Sequence, residues 1–424
     1  MISKLKGSEY FKNSAILIVG TGLVQIIPIL LQPILRRIYS DEDFGNFAIY
    51  YSIVSILAIV ANLRYSNSIV LPKDKKEALS LVSGSLILNA IFSILIFTIL
   101  LLFSKPIFNY FKLSQSFVDY FWIIPLGVFL ISSNLTLNFW LTRMKKYKGI
   151  VVNKGARRIS EGIFQYGLSS TVRNGGLILG SLLGDFFNLI VFIFQFKKSE
   201  GSFKEISKND IKSSLQNQIE FPKFSLFPAL LHVLSVNLPI LFLSLFYSKS
   251  ILGQFDGSRQ LLALPLALIS VSLSQVLYQK LVELINDNKS IYPIVRMNFL
   301  ILFALSILGT LIIVFFGTFL CQLVLGESYL LAGEISEILI FSFAVRFIVS
   351  PLSIVFVATK KLKISAVWQV LYFASMLCLY FLDGISIHDF LTYFVIIDIV
   401  VYAVYGILIY RTVKETDARL SIQE

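Results

Sequence analysis

The chain has 424 residues, 56% of them hydrophobic and only 15% charged, with a formal net charge of +12. A soluble protein of this length shows far more charge to water, so the composition excludes a soluble globular enzyme and points to a polytopic membrane protein. The basic excess by itself fits a nucleic-acid binder, but its placement along the chain, given below, traces it to membrane topology instead.

The bilayer core holds no water, so backbone groups must pair within each segment. The long apolar runs are therefore helices, and the short alternating segments of a β-barrel are absent from the sequence. A span takes about 20 apolar residues. Twelve runs qualify: 14–38, 44–70, 77–103, 117–142, 150–172, 174–196, 224–247, 252–279, 296–320, 333–358, 363–382 and 388–410. The first is too long for a signal peptide, contains Pro28 and Pro33, and lacks a small-residue cleavage site, so no cleavable leader is expected. With the N-terminus in the cytoplasm, 29 of the 37 Lys and Arg fall in cytoplasmic segments and six in outer loops, while Arg259 and Arg346 lie inside spans. This asymmetry predicts a multi-pass protein of the cytoplasmic membrane with both termini inside, and leaves no role for nucleic acid.

The longest hydrophilic stretch, Lys197 to Glu220, separates two groups of six runs. The predicted organisation is an N-terminal lobe over 1–196, a cytoplasmic loop over 197–221 and a C-terminal lobe over 222–424. Within the loop, Ile206, Ile211, Leu215 and Ile219 predict a short amphipathic helix lying on the inner leaflet. The two lobes echo each other. Tyr39-Ser40, four residues, then Gly45-Asn46-Phe47 returns as Tyr247-Ser248, four residues, then Gly253-Gln254-Phe255. Upstream, Lys12-x-Ser14 precedes Pro28 as Lys223-x-Ser225 precedes Pro239. Six spans per copy is an even number, so both copies enter from the same side and are related by a parallel pseudo-twofold axis along the membrane normal.

Charge at bilayer depth is costly and usually faces a bundle interior or a water-filled cavity. Arg346 lies near the middle of the tenth run, with Ser342, Ser350 and Ser353 on its helical face. In the eighth run Arg259 is followed on its face by Ala263, Ala267, Ser270 and Ser274. Two readings stand for both arginines, a cavity wall or a structural ion pair. Arg64 lies near the inner end of the second run, within reach of headgroups. Polar faces recur elsewhere: Thr21, Gln25, Pro28 and Gln32 in the first run, Asn134, Asn138 and Thr142 in the fourth, Ser225, His232 and Ser235 in the seventh. Such residues also glue helices together.

The buried acids are Asp398, Asp185 and Glu161. Asp398 and Asp185 are candidates for proton or sodium coupling, against a structural hydrogen bond or an arginine partner; Glu161 is expected to pair with Arg157 or Arg158 one turn earlier. Cys321 and Cys378 read as buried small hydrophobes, and His232 and His388 as packing residues. The sequence has no metal-ligand spacing, phosphate loop or nucleophile elbow, so neither a catalytic residue nor a cofactor is expected.

Leu35-Arg36-Arg37-Ile38-Tyr39-Ser40 through Gly45, and Leu63-Arg64-Tyr65 with Ile69-Val70-Leu71-Pro72, resemble the start of polysaccharide flippases. So do Phe221-Pro222-Lys223-Phe224-Ser225, Asn237-Leu238-Pro239, Gly253 and the stretch from Arg259 to Pro265. In length and span count the whole chain is similar to the Wzx-type O-antigen and capsule-unit translocases, in the superfamily that also holds the MATE multidrug exporters and the lipid II flippase. The resemblance implies two six-helix lobes around a V-shaped central cavity. It implies a non-enzymatic flippase that moves a polyprenyl-diphosphate-linked oligosaccharide from the inner to the outer leaflet by alternating access. The diphosphate-binding role it implies falls on Arg64, Arg259 and Arg346. The pathway's polymerase and chain-length proteins are the partners such a role implies, beside membrane lipids. A multidrug or cation exporter of the same superfamily is the alternative, and a membrane glycan polymerase or acyltransferase a more distant one.

Overall fold

The computed structural model describes residues 9–110, 115–172, 175–204 and 206–421, without the side chains of 9–19, 109–110, 115–117, 264–272 and 275. Every regular element among the described residues is helical. The chain divides into two compact units, Met1–Leu245 and Phe246–Glu424.

In the first unit the long helices are α1 (Glu9–Ile38), α2 (Asp41–Val60), α4 (Lys75–Tyr110), α6 (Ile124–Arg143), α7 (Tyr147–Leu168), α8 (Gly176–Lys198) and α10 (Leu226–Phe246, whose last residue belongs to the second unit). Short pieces complete it: α3 (Tyr65–Ser68), α5 (Gln115–Phe121), α9 (Lys208–Asn217) and a π turn at Phe221–Ser225. The second unit has α11 (Lys249–Asn286), α12 (Tyr292–Leu325), α13 (Leu330–Leu352), α14 (Ile354–Ala358), α15 (Leu362–Leu377), a 3-10 turn at Cys378–Leu382 and α16 (Ile387–Leu420). Each of the twelve expected runs corresponds to one long helix. Ten are apolar enough to cross a membrane by composition. The other two are α7, which carries Lys148, Lys154, Arg157, Arg158 and Glu161, and α11, whose middle lies outside the described side chains. The second span stops earlier than its run, because the backbone turns at Leu63 and Arg64, both at positive φ (51° and 67°).

Small residues set the packing inside the first unit. Gly176, Gly180 and Gly184 repeat every four residues along α8; Gly180 and Gly184 let α7 approach closely, and Gly176 makes room for the Tyr39 ring. A Cβ on Gly180 would lie 2.7 Å from the Gln165 backbone nitrogen, and one on Gly184 2.9 Å from the Glu161 Cα. A core of Tyr65, Ile69, Leu81, Val82, Trp140 and Phe196 joins α3, α4, α6 and α8. The amphipathic helix is present as α9, opened by a capping box between Ser207 and Asp210. It is not simply laid on the leaflet: Leu215 and Ile206 pack onto that core, and Leu215 fills the space left by Gly84. Lys75–Glu200 (2.6 Å) and Lys76–Asp210 (2.9 Å) tie the loop to the start of α4.

The repeated motif has one structural role in both units. Ser40 caps α2 by accepting from the Asp43 N–H, and Ser248 caps α11 by accepting from the Ile251 N–H. The tyrosine before each serine pins a distant corner of its own unit. The Tyr39 hydroxyl donates to the Gln165 carbonyl near the end of α7 (2.5 Å), and the Tyr247 hydroxyl to the Ile385 carbonyl just before α16 (3.1 Å). Both are the corner between the fifth and sixth spans of their copy.

Candidate functional site

Arg346 in α13 does not face an open wall alone. Its Nε and Nη2 donate to the two Asp398 oxygens at 2.6 and 2.7 Å, a bidentate pair across to α16. Tyr372 from α15 joins: it accepts from Arg346 Nη2 (2.9 Å) and donates to Asp398 (3.1 Å). The Ser342 hydroxyl donates to the other Asp398 oxygen at 2.5 Å. Asp398 is fully buried, while the Arg346 side chain keeps 18% of its exposure. Rings of Phe343, Phe394 and Tyr402 stand 5.5–5.8 Å from the guanidinium carbon. Behind it Tyr372, Trp368, Tyr405 and Phe356 stack in sequence, at centroid spacings of 5.3, 3.8 and 5.3 Å. So three helices position one charge pair, which fixes each partner and satisfies the carboxylate completely.

The first unit has its own pair. Arg157 Nε in α7 donates to Asp185 Oδ1 in α8 at 2.5 Å, and Asn134 donates to the Asp185 carbonyl at 3.0 Å. Glu161 pairs with Arg158 at 2.9 Å and lies 4.0 Å from Arg157, as the one-turn spacing predicts. The Asp185–Arg157 pair joins adjacent spans of the first copy, whereas Asp398–Arg346 joins the tenth and twelfth spans, so the two are not repeat equivalents.

The other predicted residues are spread more widely. Arg259 lies 3.4 Å from Asp256 one turn before it, and Asp256 also accepts from Gln260 at 2.6 Å. Ser274 donates to the Pro351 carbonyl at 3.4 Å, a packing contact; the Ser270 side chain lies outside the described residues. Ser350 lends its carbonyl to Ser353 at 2.7 Å. Gln32 accepts from Arg36 Nε at 2.8 Å, and Gln25 and Asn138 are half-buried. Arg64 is half-buried at the tight turn after α2, with its Nε 3.5 Å from the Ser225 hydroxyl and no carboxylate within ion-pair distance among the described residues. Burial alone holds its guanidinium below the ordinary arginine value.

Some functional candidates were missed by reading the sequence. Arg143 holds the carbonyls of Pro72, Lys73 (3.2 Å) and Asp74 (3.1 Å), and so braces the turn that leads into α4. Ser85, Asn89 and Ser93 form a buried polar stripe on α4, and Asn89 reaches Ser133 (3.5 Å) and Thr136 (3.4 Å) on α6. A four-residue polar period inside an apolar run was the available signal. Cys378, where α15 gives way to the 3-10 turn, is exposed and not buried as expected; Cys321 is buried. His388 contacts Glu334 at 3.3 Å and is half exposed, which differs from a packing role.

A family profile described as polysaccharide biosynthesis protein matches residues 10–284. No curated protein matches the chain in sequence. Among solved structures, a multidrug resistance MATE family transporter of the MOP superfamily in an inward-facing conformation aligns at a TM-score of 0.71 and 15% identity, over 95% of this chain and 99% of that one. The lipid II flippase MurJ in an inward closed conformation aligns at 0.64 and 16%, over 93% and 99%. A MOP superfamily transporter from Pyrococcus furiosus, described as having a binding pocket of reverse polarity, aligns at 0.58 and 14%, over 94% and 96%. At these identities the likeness establishes a shared fold and not a shared substrate.

Proposed function

This chain belongs to the polysaccharide biosynthesis protein family, and from that premise we propose that it is a flippase for polyprenyl-diphosphate-linked oligosaccharides. The family match carries the reading. In this account the chain works in the cytoplasmic membrane with both termini inside, as a transporter and not an enzyme, and moves O-antigen or capsule-type units outward. The two lobes, 1–196 and 222–424 joined by 197–221, alternate in access, so α10 opens the second lobe as the repeat requires, although its contacts group with the first unit.

The physical problem suits such a protein. Sugars and a diphosphate cannot cross hydrocarbon unaided, because unpaired polar groups there are heavily penalised. Arg64, Arg259 and Arg346 are proposed to meet the diphosphate, whose oxygens match the guanidinium fork. Arg346 is held by Asp398 at rest. Its role in binding therefore depends on Asp398 letting go, and a proton on Asp398 is the proposed trigger; this joins the coupling role of Asp398 to the binding role of Arg346. Asp185, bonded to Arg157 in the same manner, is the parallel candidate in the first lobe. Gln25, Gln32, Asn134, Asn138, Ser270, Ser274, Ser342 and Ser350 are proposed as the polar lining.

A strain lacking this gene is expected to stall surface polysaccharide while lipid-linked units accumulate on the inner face of the membrane. Normal outer-face delivery in that strain refutes the flippase reading. Drug sensitivity with intact surface glycan favours the exporter of the same superfamily instead, a reading that the MATE fold keeps in view.

A further inference from the structure

The second unit carries a groove of about 510 Å³ between α12, α13 and α16, at the end of α16 that is rich in cations. Its floor is cut by Gly406, which presents no side chain, with Ala403 one turn earlier; Val349 and Leu352 close the back. The rims are Phe299 and Leu300 on α12 and Ile407 and Tyr410 on α16, all exposed on apolar spans. A row of exposed apolar groups on a span faces lipid, so the groove opens to acyl chains and not to water.

The mouth is different in kind. Arg296 lines it, and Lys414 Nζ sits 5.3 Å from the Tyr292 ring and 5.7 Å from the Tyr410 ring. The carboxylates nearby are already engaged. Asp417 accepts from Ser290 Oγ (2.5 Å), the Ile291 N–H (2.8 Å) and the Tyr292 N–H (3.1 Å), and so caps α12; Glu415 bridges to Lys361. Among the described residues neither Arg296 nor Lys414 has a carboxylate within 4 Å. Two uncompensated cations and two tyrosines at headgroup level, above a chain-width apolar slot, form a two-part site. Basic pockets between membrane helices on the cytoplasmic side take anionic lipid headgroups, and tyrosines sit at that depth.

We propose that this groove holds one anionic membrane phospholipid, with an acyl chain over Gly406 and its phosphate between Arg296 and Lys414. The site is complete within one unit and does not depend on the flippase reading. It gives the second unit a lipid clamp on the helix that carries Tyr402, whose ring stands 5.5 Å from the Arg346 guanidinium carbon, and Tyr405, which stacks on Trp368.

The test uses the purified full chain in detergent, titrated with phosphatidylglycerol or phosphatidylcholine of the same acyl chains and read by native mass spectrometry. The wild type is expected to prefer phosphatidylglycerol by about 30-fold, from a roughly fivefold contribution per cation. Arg296→Gln with Lys414→Gln removes the preference and leaves phosphatidylcholine binding in place, while Arg296→Lys retains it. Gly406→Leu fills the slot and weakens both lipids; its Cβ meets only Val349 Cγ2, at an ordinary 3.7 Å. Equal binding of the two lipids by the wild type, or an unchanged preference in the double variant, overturns the proposal. Displacement of phosphatidylglycerol by polyprenyl phosphate at lower concentration also overturns it, by making the groove a site for the carrier tail.

Discussion

At the scale of single residues, the Arg346–Asp398 pair is the most informative contact. Depth and a serine stripe marked Arg346 in the sequence, and mid-span position marked Asp398, yet nothing in the sequence joined them. They are 52 residues apart and meet only because α13 and α16 pack together. Helical spacing reads one face of one helix; it is silent on which faces meet. Arg64 shows the same limit, since the left-handed turn that sets its direction depends on where α2 stops. Removing one member of a buried pair leaves an unpaired charge. Arg346→Ala is expected to cost about 3–5 kcal/mol of stability, and Arg346→Ala with Asp398→Ala to recover most of that loss, as read by thermal unfolding in detergent. The double variant is expected to stay inactive in export. Export restored by the double variant would reduce the pair to scaffold.

At the scale of elements, the apolar runs were legible one for one, with ends that differ from the helices by up to ten residues, because the hydrocarbon core demands both length and helix. The Tyr-Ser repeat was legible as a pattern, and its physics became clear only in the fold: a helix cap plus a tyrosine tether to the corner of the fifth and sixth spans. The glycines of α8 went unread, since their meaning lies in what α7 brings against them. Gly180→Val and Gly184→Val are each expected to lower stability by about 1–3 kcal/mol through overpacking, seen as a drop in the unfolding midpoint. The loop helix α9 was legible as amphipathic but its docking on α4 was not, because any apolar face suits either lipid or protein. There the Ser207 backbone N–H, then Lys76, hold Asp210 down to about 2 from its ordinary value of 3.8. A lowered carboxylate stabilises the capped helix, and through Lys76 its docking, above its unfolded value and loses that contribution as pH falls through the folded one. The protection factors of the amides over 208–217, each relative to the intrinsic rate at the same pH, are therefore expected to hold at pH 5 and to fall between about pH 4 and 2. Protection unchanged across that window would show that Leu215 and Ile206 alone hold the helix.

For the whole molecule, composition set the class and the Lys/Arg asymmetry set the expected orientation, while the substrate was never in reach of composition. The fold is shared with a MATE family transporter and with the lipid II flippase MurJ, so fold alone does not select a cargo. What separates them is the cargo, which the family match, the buried arginines and their acids address only by inference. The deciding measurement is made on purified protein in sealed proteoliposomes, loaded on one leaflet with a fluorescent polyprenyl-diphosphate oligosaccharide and assayed by its accessibility to an external glycosidase. Transfer of the glycolipid across the bilayer, abolished by Asp398→Asn and faster under a proton gradient, is the predicted result. No transfer above empty vesicles, with a cationic drug accumulating in the same proteoliposomes, would contradict it.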